Sequence, residues 1–187
     1  MPEPAPTIEV LVEDVAWRRV PRVKNLVARA VAAAFDVAVP ANRPVSACVA
    51  LVRDRAIAEL NHDFRGVKGP TDVLAFPQID GGVRRIASAL ARAAGRDPVP
   101  LGDVIVAYGA CARGAREARV PIRSHVAHLV VHGALHLLGH DHAASHDTVR
   151  MRALEREALT RLGIPDPYAE RAMTSRSTRA SRTRKDG

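Results

Sequence analysis

The stretch HGALHLLGHDH, residues 132–142, decides how this chain folds around a functional centre. His132 and His136 are four residues apart in a segment with helical periodicity, so both rings leave one face of a helix about one turn apart. Gly139, just past the last turn, can take the left-handed conformation that reverses the chain and brings His142 back toward the pair. Three imidazoles with an open fourth position suit zinc, so the spacing predicts one Zn²⁺ ion held by these three histidines.

The chain contains eight histidines, and each one taken alone is more often a solvated or hydrogen-bonded residue than a metal ligand. The motif combines a helical histidine pair, a glycine turn and a third histidine three residues later. This combination rarely arises by chance, which favours metal binding. His140 is the alternative third ligand. Side chains of neighbouring residues point in different directions in an extended segment such as the one expected after the turn, so we favour His142. His128, one turn before His132, is expected either to line the site or to hydrogen-bond within the core, and we favour the core.

The spacing H-x-x-x-H-x-x-G-x-x-H matches a zinc-protease pattern at every position except one. Those proteases have a glutamate directly after the first histidine, where it acts as the general base, and this chain has Gly133 there. The missing carboxylate counts against peptide cleavage and leaves the metal prediction intact. The sequence therefore predicts metal-assisted chemistry other than peptide cleavage.

Hydrophobic periodicity around the motif predicts a single α+β domain over residues 1–168. We expect a small mixed sheet of about four strands packed with about five helices, with the metal site on a central helix and the turn after it. The predicted strands are residues 8–12, 45–52, 72–76 and 101–107, and the predicted helices are 23–35, 54–61, 111–118, 123–138 and 145–162. Asp54 is expected to cap the second helix, and Arg65 to lie in the connection after it. Residues 83–94 fit either a basic helix or an ordered loop, and a surface insertion is favoured over a substrate lid.

Composition restricts how the protein can bind a partner. The 187 residues with 47% hydrophobic content suit one folded domain with a real core. Aromatic residues make up only 3%, which disfavours base stacking on an exposed aromatic platform and leaves charge as the basis of nucleic-acid binding. The net charge is +8, but residues 171–187 carry six basic residues and one acidic residue, which leaves only +3 for the rest. We expect residues 169–187 to be a basic, disordered tail that adds salt-sensitive affinity for phosphates.

The two cysteines and the amino terminus indicate the compartment. Cys48 and Cys111 form no paired metal-binding motif, which favours free thiols in a reducing environment. The first residues, MPEPAPT, have no basic segment followed by an apolar stretch, and no later run is long enough to cross a bilayer. The sequence therefore predicts a cytoplasmic protein without a membrane partner.

Three blocks of the chain resemble one known family, the YbeY-type endoribonucleases. HGALHLLGHDH resembles the signature of that family, and NHDFRGVKGPTDVLAFP, residues 61–77, resembles its other conserved stretch. LGDVI, residues 101–105, is similar to the family's LGDI-type strand. With the helix after the motif, the blocks cover most of residues 7–168. Two positions depart from the family pattern, because His140 and Phe64 stand where tyrosines are common.

The resemblance implies a single-strand-specific, metal-dependent endoribonuclease that acts in ribosomal RNA maturation, including 16S rRNA 3′ end processing, and in ribosome quality control. It implies that His132, His136 and His142 bind the metal. It also implies that Arg65 lies near the RNA phosphate, where a planar guanidinium suits developing charge; without the resemblance, a surface salt bridge would be favoured. Asp141 is expected to orient a ligand ring as a hydrogen-bond acceptor, with a surface aspartate as the alternative. The expected partners are single-stranded RNA and ribosomal RNA or a ribosomal subunit.

Two other functions stay open at this point. One is a zinc metallohydrolase of another substrate class, such as a peptidase that uses a distant base. The other is a non-catalytic ribosome-assembly factor whose zinc stabilises the fold. A purely structural zinc is usually closed by four protein ligands, so a fourth ligand from His140 or His146 would favour the assembly factor.

Overall fold

A mixed four-stranded sheet forms the centre of the fold in the computed structural model, which describes residues 6–39, 44–93, 97–141 and 145–169. The strands are β1 (Thr7–Val12), β2 (Val45–Val52), β3 (Val73–Pro77) and β4 (Val99–Ala107). They lie in the order β1-β2-β4-β3. The first three in that order run parallel, and β3 runs antiparallel to β4 at the outer edge. The predicted α+β class and mixed sheet are confirmed.

The described segments contain six α-helices and one short 3-10 helix, against about five helices predicted from the sequence. They are the 3-10 helix Val15–Arg19, α1 (Val23–Ala38), α2 (Asp54–Arg65), α3 (Gly82–Arg92), α4 (Tyr108–Glu117), α5 (Ile122–Leu137) and α6 (Ser145–Arg161). The additional helix is α3, which is the helical alternative for residues 83–94. None of the helices in these segments is both long and apolar enough to span a membrane. The predicted tail, residues 169–187, lies outside the described residues except for Ala169, so the tail stays a prediction.

Helices cover both faces of the sheet, which explains the nearly continuous hydrophobic sequence of β2. On one face, α1 and α5 pack against the sheet in the main core, where Val31, Val49 and Val130 are fully buried. On the other face, α2 packs over a smaller cluster that includes Ile57 and Leu74. Since α5 carries the histidine motif, this packing places the motif on a central helix, as predicted.

The first residue of α2 has a different role from the predicted one. Asp54 makes no cap hydrogen bond, because the helix is capped at Arg53 without a side-chain contribution. The Asp54 carboxylate instead accepts a hydrogen bond from the Ala110 backbone N–H at 3.0 Å and pairs with Arg113 at 2.9 Å. The prediction of a capping aspartate was therefore wrong, because a contact distant in sequence uses this side chain to join α2 to α4.

The last residue of α2 is Arg65, which the sequence placed in a connecting loop. The helix continues four residues beyond Asn61 and ends at Arg65. Gly66 follows with φ +67°, the left-handed conformation that commonly terminates a helix. The loop assignment was wrong because residues 62–65 offer no buried apolar position, so the helical pattern ends before the helix does. The Arg65 guanidinium is therefore attached to the last turn of a helix and not to a loop.

The turn after α5 is pressed against the start of α3. Gly139 has φ +77°, and a Cβ atom there would lie only 2.6 Å from the Gly82 Cα and from the Val83 nitrogen. Both the backbone conformation and the space therefore require glycine. Two side chains of α3, Ile86 and Leu90, are buried in the main core. Residues 82–92 are thus an integral part of the domain next to the motif turn, which differs from the favoured surface insertion.

We expect Gly139→Ala to lower the free energy of unfolding by about 2–5 kcal/mol, the sum of a left-handed alanine and an overpacked contact. Gly163→Ala is the matched control, since Gly163 has φ +70° but no atom within 4 Å of its Cβ position. The control should lose only the conformational part, about 1–2 kcal/mol. Denaturant unfolding measures both, and equal losses would show that the contact with α3 contributes nothing.

Candidate metal centre

Two histidines on α5 direct ring nitrogens at one point. The Nε2 atoms of His132 and His136 are 3.1 Å apart, and the two rings meet edge to face with centroids 4.6 Å apart. Two nitrogen ligands of one tetrahedral zinc are separated by roughly 3.3 Å, given zinc–nitrogen distances of about 2.0–2.1 Å. The pair therefore fits two ligands of one metal ion.

The turn that should bring a third ligand to this pair is a regular helix ending. The Gly139 N–H donates to the His136 carbonyl at 2.9 Å, and the His140 N–H donates to the Leu135 carbonyl at 3.1 Å. This pair of hydrogen bonds around a left-handed glycine is the Schellman motif. The predicted third ligand, His142, lies outside the described residues and stays a prediction. Among the residues that the structure does describe, no three histidine, cysteine or acidic side chains are grouped to hold a metal.

A buried carboxylate on α6 holds the outer nitrogen of His132. Glu155 is 1% exposed, and its Oε1 lies 2.7 Å from His132 Nδ1. Burial alone would raise its pKa, but hydrogen bonds with His128, His132 and Tyr168 together bring the pKa well below the usual range. An ionised carboxylate can only accept, so the proton resides on His132 Nδ1, and Nε2 is the ring nitrogen whose lone pair suits a metal.

Tyr168 and His128 occupy the remaining sides of the Glu155 carboxylate. The Tyr168 hydroxyl donates to Glu155 Oε2 at 2.5 Å, and His128 Nε2 lies 3.3 Å from that hydroxyl oxygen. Burial and the hydrogen bond to Glu155 raise the pKa of Tyr168, so the phenol keeps its proton. The Arg152 guanidinium carbon lies 5.0 Å from the centre of the Tyr168 ring. His128, one helical turn before His132, is thus hydrogen-bonded within the protein.

The histidine pair opens into a cleft beside the edge strand β3. The cleft has a volume of about 260 Å³. It is lined by Arg65, Val73, Leu74, Ala75, Pro77, His132, Gly133 and His136. Arg65 reaches it from the end of α2, whereas both histidines come from α5 on the opposite face of the sheet. The structure therefore brings three of the predicted site residues into one cavity from two separate helices.

A family model described as Endoribonuclease YbeY matches residues 13–163 of the chain. This chain belongs to the YbeY family. Tyr168 lies beyond the last matched residue, so the YbeY match includes Glu155 but not the phenol that binds it.

Similar proteins agree with this assignment over most of their length. The Endoribonuclease YbeY of Bradyrhizobium diazoefficiens is 40% identical over 171 residues, which is 90% of this chain and 88% of the relative. That of Sphingopyxis alaskensis is 42% identical over 148 residues, 76% of this chain and 86% of the relative. The solution structure of TM1509 from Thermotoga maritima has a TM-score of 0.50 at 24% identity, over 83% of this chain and 91% of that one. This last likeness supports the fold alone.

Gly133 stands where the zinc proteases carry their catalytic glutamate. A Cβ atom at this position would lie 2.7 Å from Val104 Cγ1. Val104 is fully buried on β4, so it has no room to move away. In this member of the YbeY family, α5 therefore packs directly on the sheet at the position where a protease needs a side chain.

Two further histidines, His140 and His146, lie near the motif in sequence. His140 is 7% exposed, and burial together with the positive charge of Arg150 lowers its pKa. Because His140 is buried directly after the turn, it stays the alternative to His142 as the third metal ligand. His146 is exposed, and its Nε2 lies 2.9 Å from Asp147 Oδ1. A surface ion pair of this kind does not indicate a closed structural site.

Sequence reasoning missed Glu155 and Tyr168, and proposed Asp141 as the residue that orients a ligand ring. Asp141 is exposed directly after the turn, and its role stays a prediction. Glu155 left a detectable signal, because it lies in phase with the buried Met151 and Leu159 on α6. A charged residue within an apolar stripe must find a partner. Tyr168 follows the helix and left no comparable signal.

Proposed function

We propose that this protein is a zinc-dependent endoribonuclease that cleaves single-stranded RNA and acts in the cytoplasm on ribosomal RNA, including the 3′ end of 16S rRNA. The main support is one cleft that contains both His132 and His136 together with Arg65. A metal-binding pair beside an unburied guanidinium suits a phosphodiester, which carries a negative charge through the whole reaction. The name Endoribonuclease YbeY of the relatives supports the same reaction class.

In this proposal His132, His136 and His142 hold one zinc ion, with Glu155 fixing the first of them. Imidazole ligands with a position left open favour zinc in a catalytic site. A zinc ion bound there would lower the pKa of a water molecule toward neutrality and withdraw charge from the phosphate. Glu155 is ionised and accepts from His132, which orients the ring and increases its basicity as a ligand.

Arg65 is proposed to bind the phosphate at the opposite side of the cleft. Its planar guanidinium can donate two parallel hydrogen bonds, which match two phosphate oxygens. The apolar residues Val73 and Ala75 form part of the cleft wall and reduce screening by water. Arg65 would therefore stabilise the additional charge that develops as the new bond to phosphorus forms.

Peptide hydrolysis is the weaker alternative for this cleft. The described residues that line it include no carboxylate that could serve as a general base. The nearby Glu155 is buried and already accepts hydrogen bonds from His132 and Tyr168. A non-catalytic role is also disfavoured, since a structural zinc site is normally closed, whereas this pair faces an open cleft.

The decisive experiment combines metal analysis with cleavage assays on the purified full-length protein. We expect about one equivalent of zinc, and cleavage of single-stranded fragments that span the 3′ end of precursor 16S rRNA. Duplex RNA of the same sequence and an unstructured protein such as casein serve as controls. Digestion of casein without cleavage of RNA would overturn the proposal and indicate a metallopeptidase. A metal-replete protein that cleaves neither substrate would favour the non-catalytic assembly factor.

Glu155→Gln should weaken zinc binding by about 10- to 100-fold, the usual effect of losing a carboxylate that orients a histidine ligand. The amide keeps the shape but removes the charge that fixes the proton on His132 Nδ1. Competition with a chelator of known affinity measures the change. Glu157→Gln on the same helix is the matched control, since Glu157 is surface-exposed and pairs with Arg161 at 2.8 Å. Equal zinc affinities for the two variants would contradict the assigned role.

A further inference from the structure

An exposed phenylalanine lies directly before the arginine of the cleft. Phe64, in the last turn of α2, is 67% exposed. Single exposed apolar residues are common on protein surfaces, so exposure alone indicates nothing. This ring, however, is held in place, because it meets the Phe76 ring edge to face with centroids 5.0 Å apart and an interplanar angle of 70°. Phe64 therefore presents an aromatic face of fixed orientation to solvent.

Phe76 connects this ring to the rim of the cleft. It lies on β3 between Ala75 and Pro77, which both line the cleft. Side chains alternate along a strand, so Phe76 faces α2 while its two neighbours face the histidine side. Because β3 is the outermost strand of the sheet, only the width of one strand, about 5 Å, separates the two sides at this edge.

The charges around Phe64 suit a nucleic-acid strand. Arg65 on one side lines the cleft, and Lys68 in the following loop is also exposed. Val67, between them in sequence, is 50% exposed and adds apolar surface to this loop. Alternating positive and aromatic contacts match the alternation of phosphates and bases along a single strand. A partner protein would gain little from covering two basic residues whose charge it must then compensate.

We propose that Phe64 is a nucleobase-stacking site, on which a base next to the phosphate held by Arg65 places its face. The inference rests on the proposed nuclease function and adds a source of substrate selection to it. Only an unpaired base can turn its face to a protein side chain, whereas a base in a duplex is already stacked and paired. Phe64 would thus select single-stranded RNA at the site of cleavage. The low aromatic content of the chain could not reveal this, because stacking needs only one well-placed ring.

The first test measures equilibrium binding of the full-length protein to a short fluorescent single-stranded RNA, read before detectable cleavage. Phe64→Ala should weaken binding by roughly 5- to 100-fold, the usual range for loss of one stacked base. Phe64→Tyr should stay close to the wild type, and Phe64→Leu should resemble the alanine variant because it keeps apolar area without an aromatic face. Val149→Ala, at an exposed valine on α6, is the surface control. Equal RNA affinity of the wild type, Phe64→Leu and Phe64→Ala would overturn the proposal.

The second test places one abasic nucleotide in turn at each position of the RNA. For the wild type, one position next to the cleavage site should cause a loss of affinity similar to that of Phe64→Ala. In the Phe64→Ala protein, the same abasic position should cause no further loss, since the interaction is already absent. Independent, additive losses would overturn the stacking contact.

The outcomes separate this inference from the proposed nuclease. Cleavage of RNA with equal kcat/KM by the wild type and Phe64→Ala would overturn stacking and leave the nuclease intact. Binding that depends on Phe64, without cleavage by metal-replete wild type, would overturn the nuclease and support the stacking site. A thermal melt of each variant checks that the loss of the contact with Phe76 has not unfolded α2.

Discussion

Alanine at His132 or at His136 should reduce bound metal to a small fraction of one equivalent. Each change removes one protein ligand from a site that is proposed to have only three. The two Nε2 atoms are 3.1 Å apart, which suits two ligands of the same ion, so each variant loses one of them. Elemental analysis of the purified variants measures the metal, and circular dichroism checks that the fold is retained.

His140→Ala is the control for the choice of the third ligand. It should keep its metal, because we assign the third position to His142. Since His140 is buried, its thermal melt must be compared with the wild type before the metal content is interpreted. Loss of metal from a folded His140→Ala protein would identify His140, and not His142, as the third metal ligand. Full metal retention by His136→Ala would remove the proposed centre altogether.

Arg65→Ala should slow RNA cleavage by about one hundredfold or more, which corresponds to about 2.7 kcal/mol for a preorganised donor to developing charge. Its metal content and stability should not change, because the side chain is exposed and belongs to neither hydrophobic cluster of the described residues. Arg65→Lys should recover only part of the rate, since an ammonium keeps the charge but lacks the two parallel donors.

Single-turnover cleavage at saturating, metal-replete enzyme measures this effect without a contribution from product release. Arg55→Ala is the matched control, because Arg55 lies on the same helix, is largely exposed and pairs with Glu59 at 3.0 Å. It should cleave at the rate of the wild type. An Arg65→Ala protein as fast as this control would remove Arg65 from the mechanism and leave the histidine pair as the feature of the cleft that supports a nuclease.

Features that depend on short sequence distances could be predicted well. The helical spacing of His132 and His136 and the left-handed turn at Gly139 follow from local rules, and the structure has both. The strands and most helices also agree with their hydrophobic periodicity. By contrast, the order β1-β2-β4-β3 depends on which distant segments pair, and periodicity carries no information on that choice.

The site residues that sequence reasoning missed are those whose role depends on contacts between distant segments. Glu155 lies 23 residues from His132, and Tyr168 lies 40 residues from His128. Asp141 is predicted from its position next to His142 in the sequence, and its role stays a prediction. The contact with the His132 ring comes instead from a neighbouring helix that packs against α5, which adjacency in sequence cannot reveal.

The carboxylate that contacts His132 also makes the site depend on a segment that follows α5 in the chain. The helix α5 is synthesised before α6, but the ring of His132 is fixed only when Glu155 has docked against it. Glu155 in turn is held by Tyr168, near the end of the described residues. A chain still emerging from the ribosome can therefore fold its sheet and present its histidines while their final orientation is unfinished. Competence to act on RNA would therefore require the segment through Tyr168, and not α5 alone.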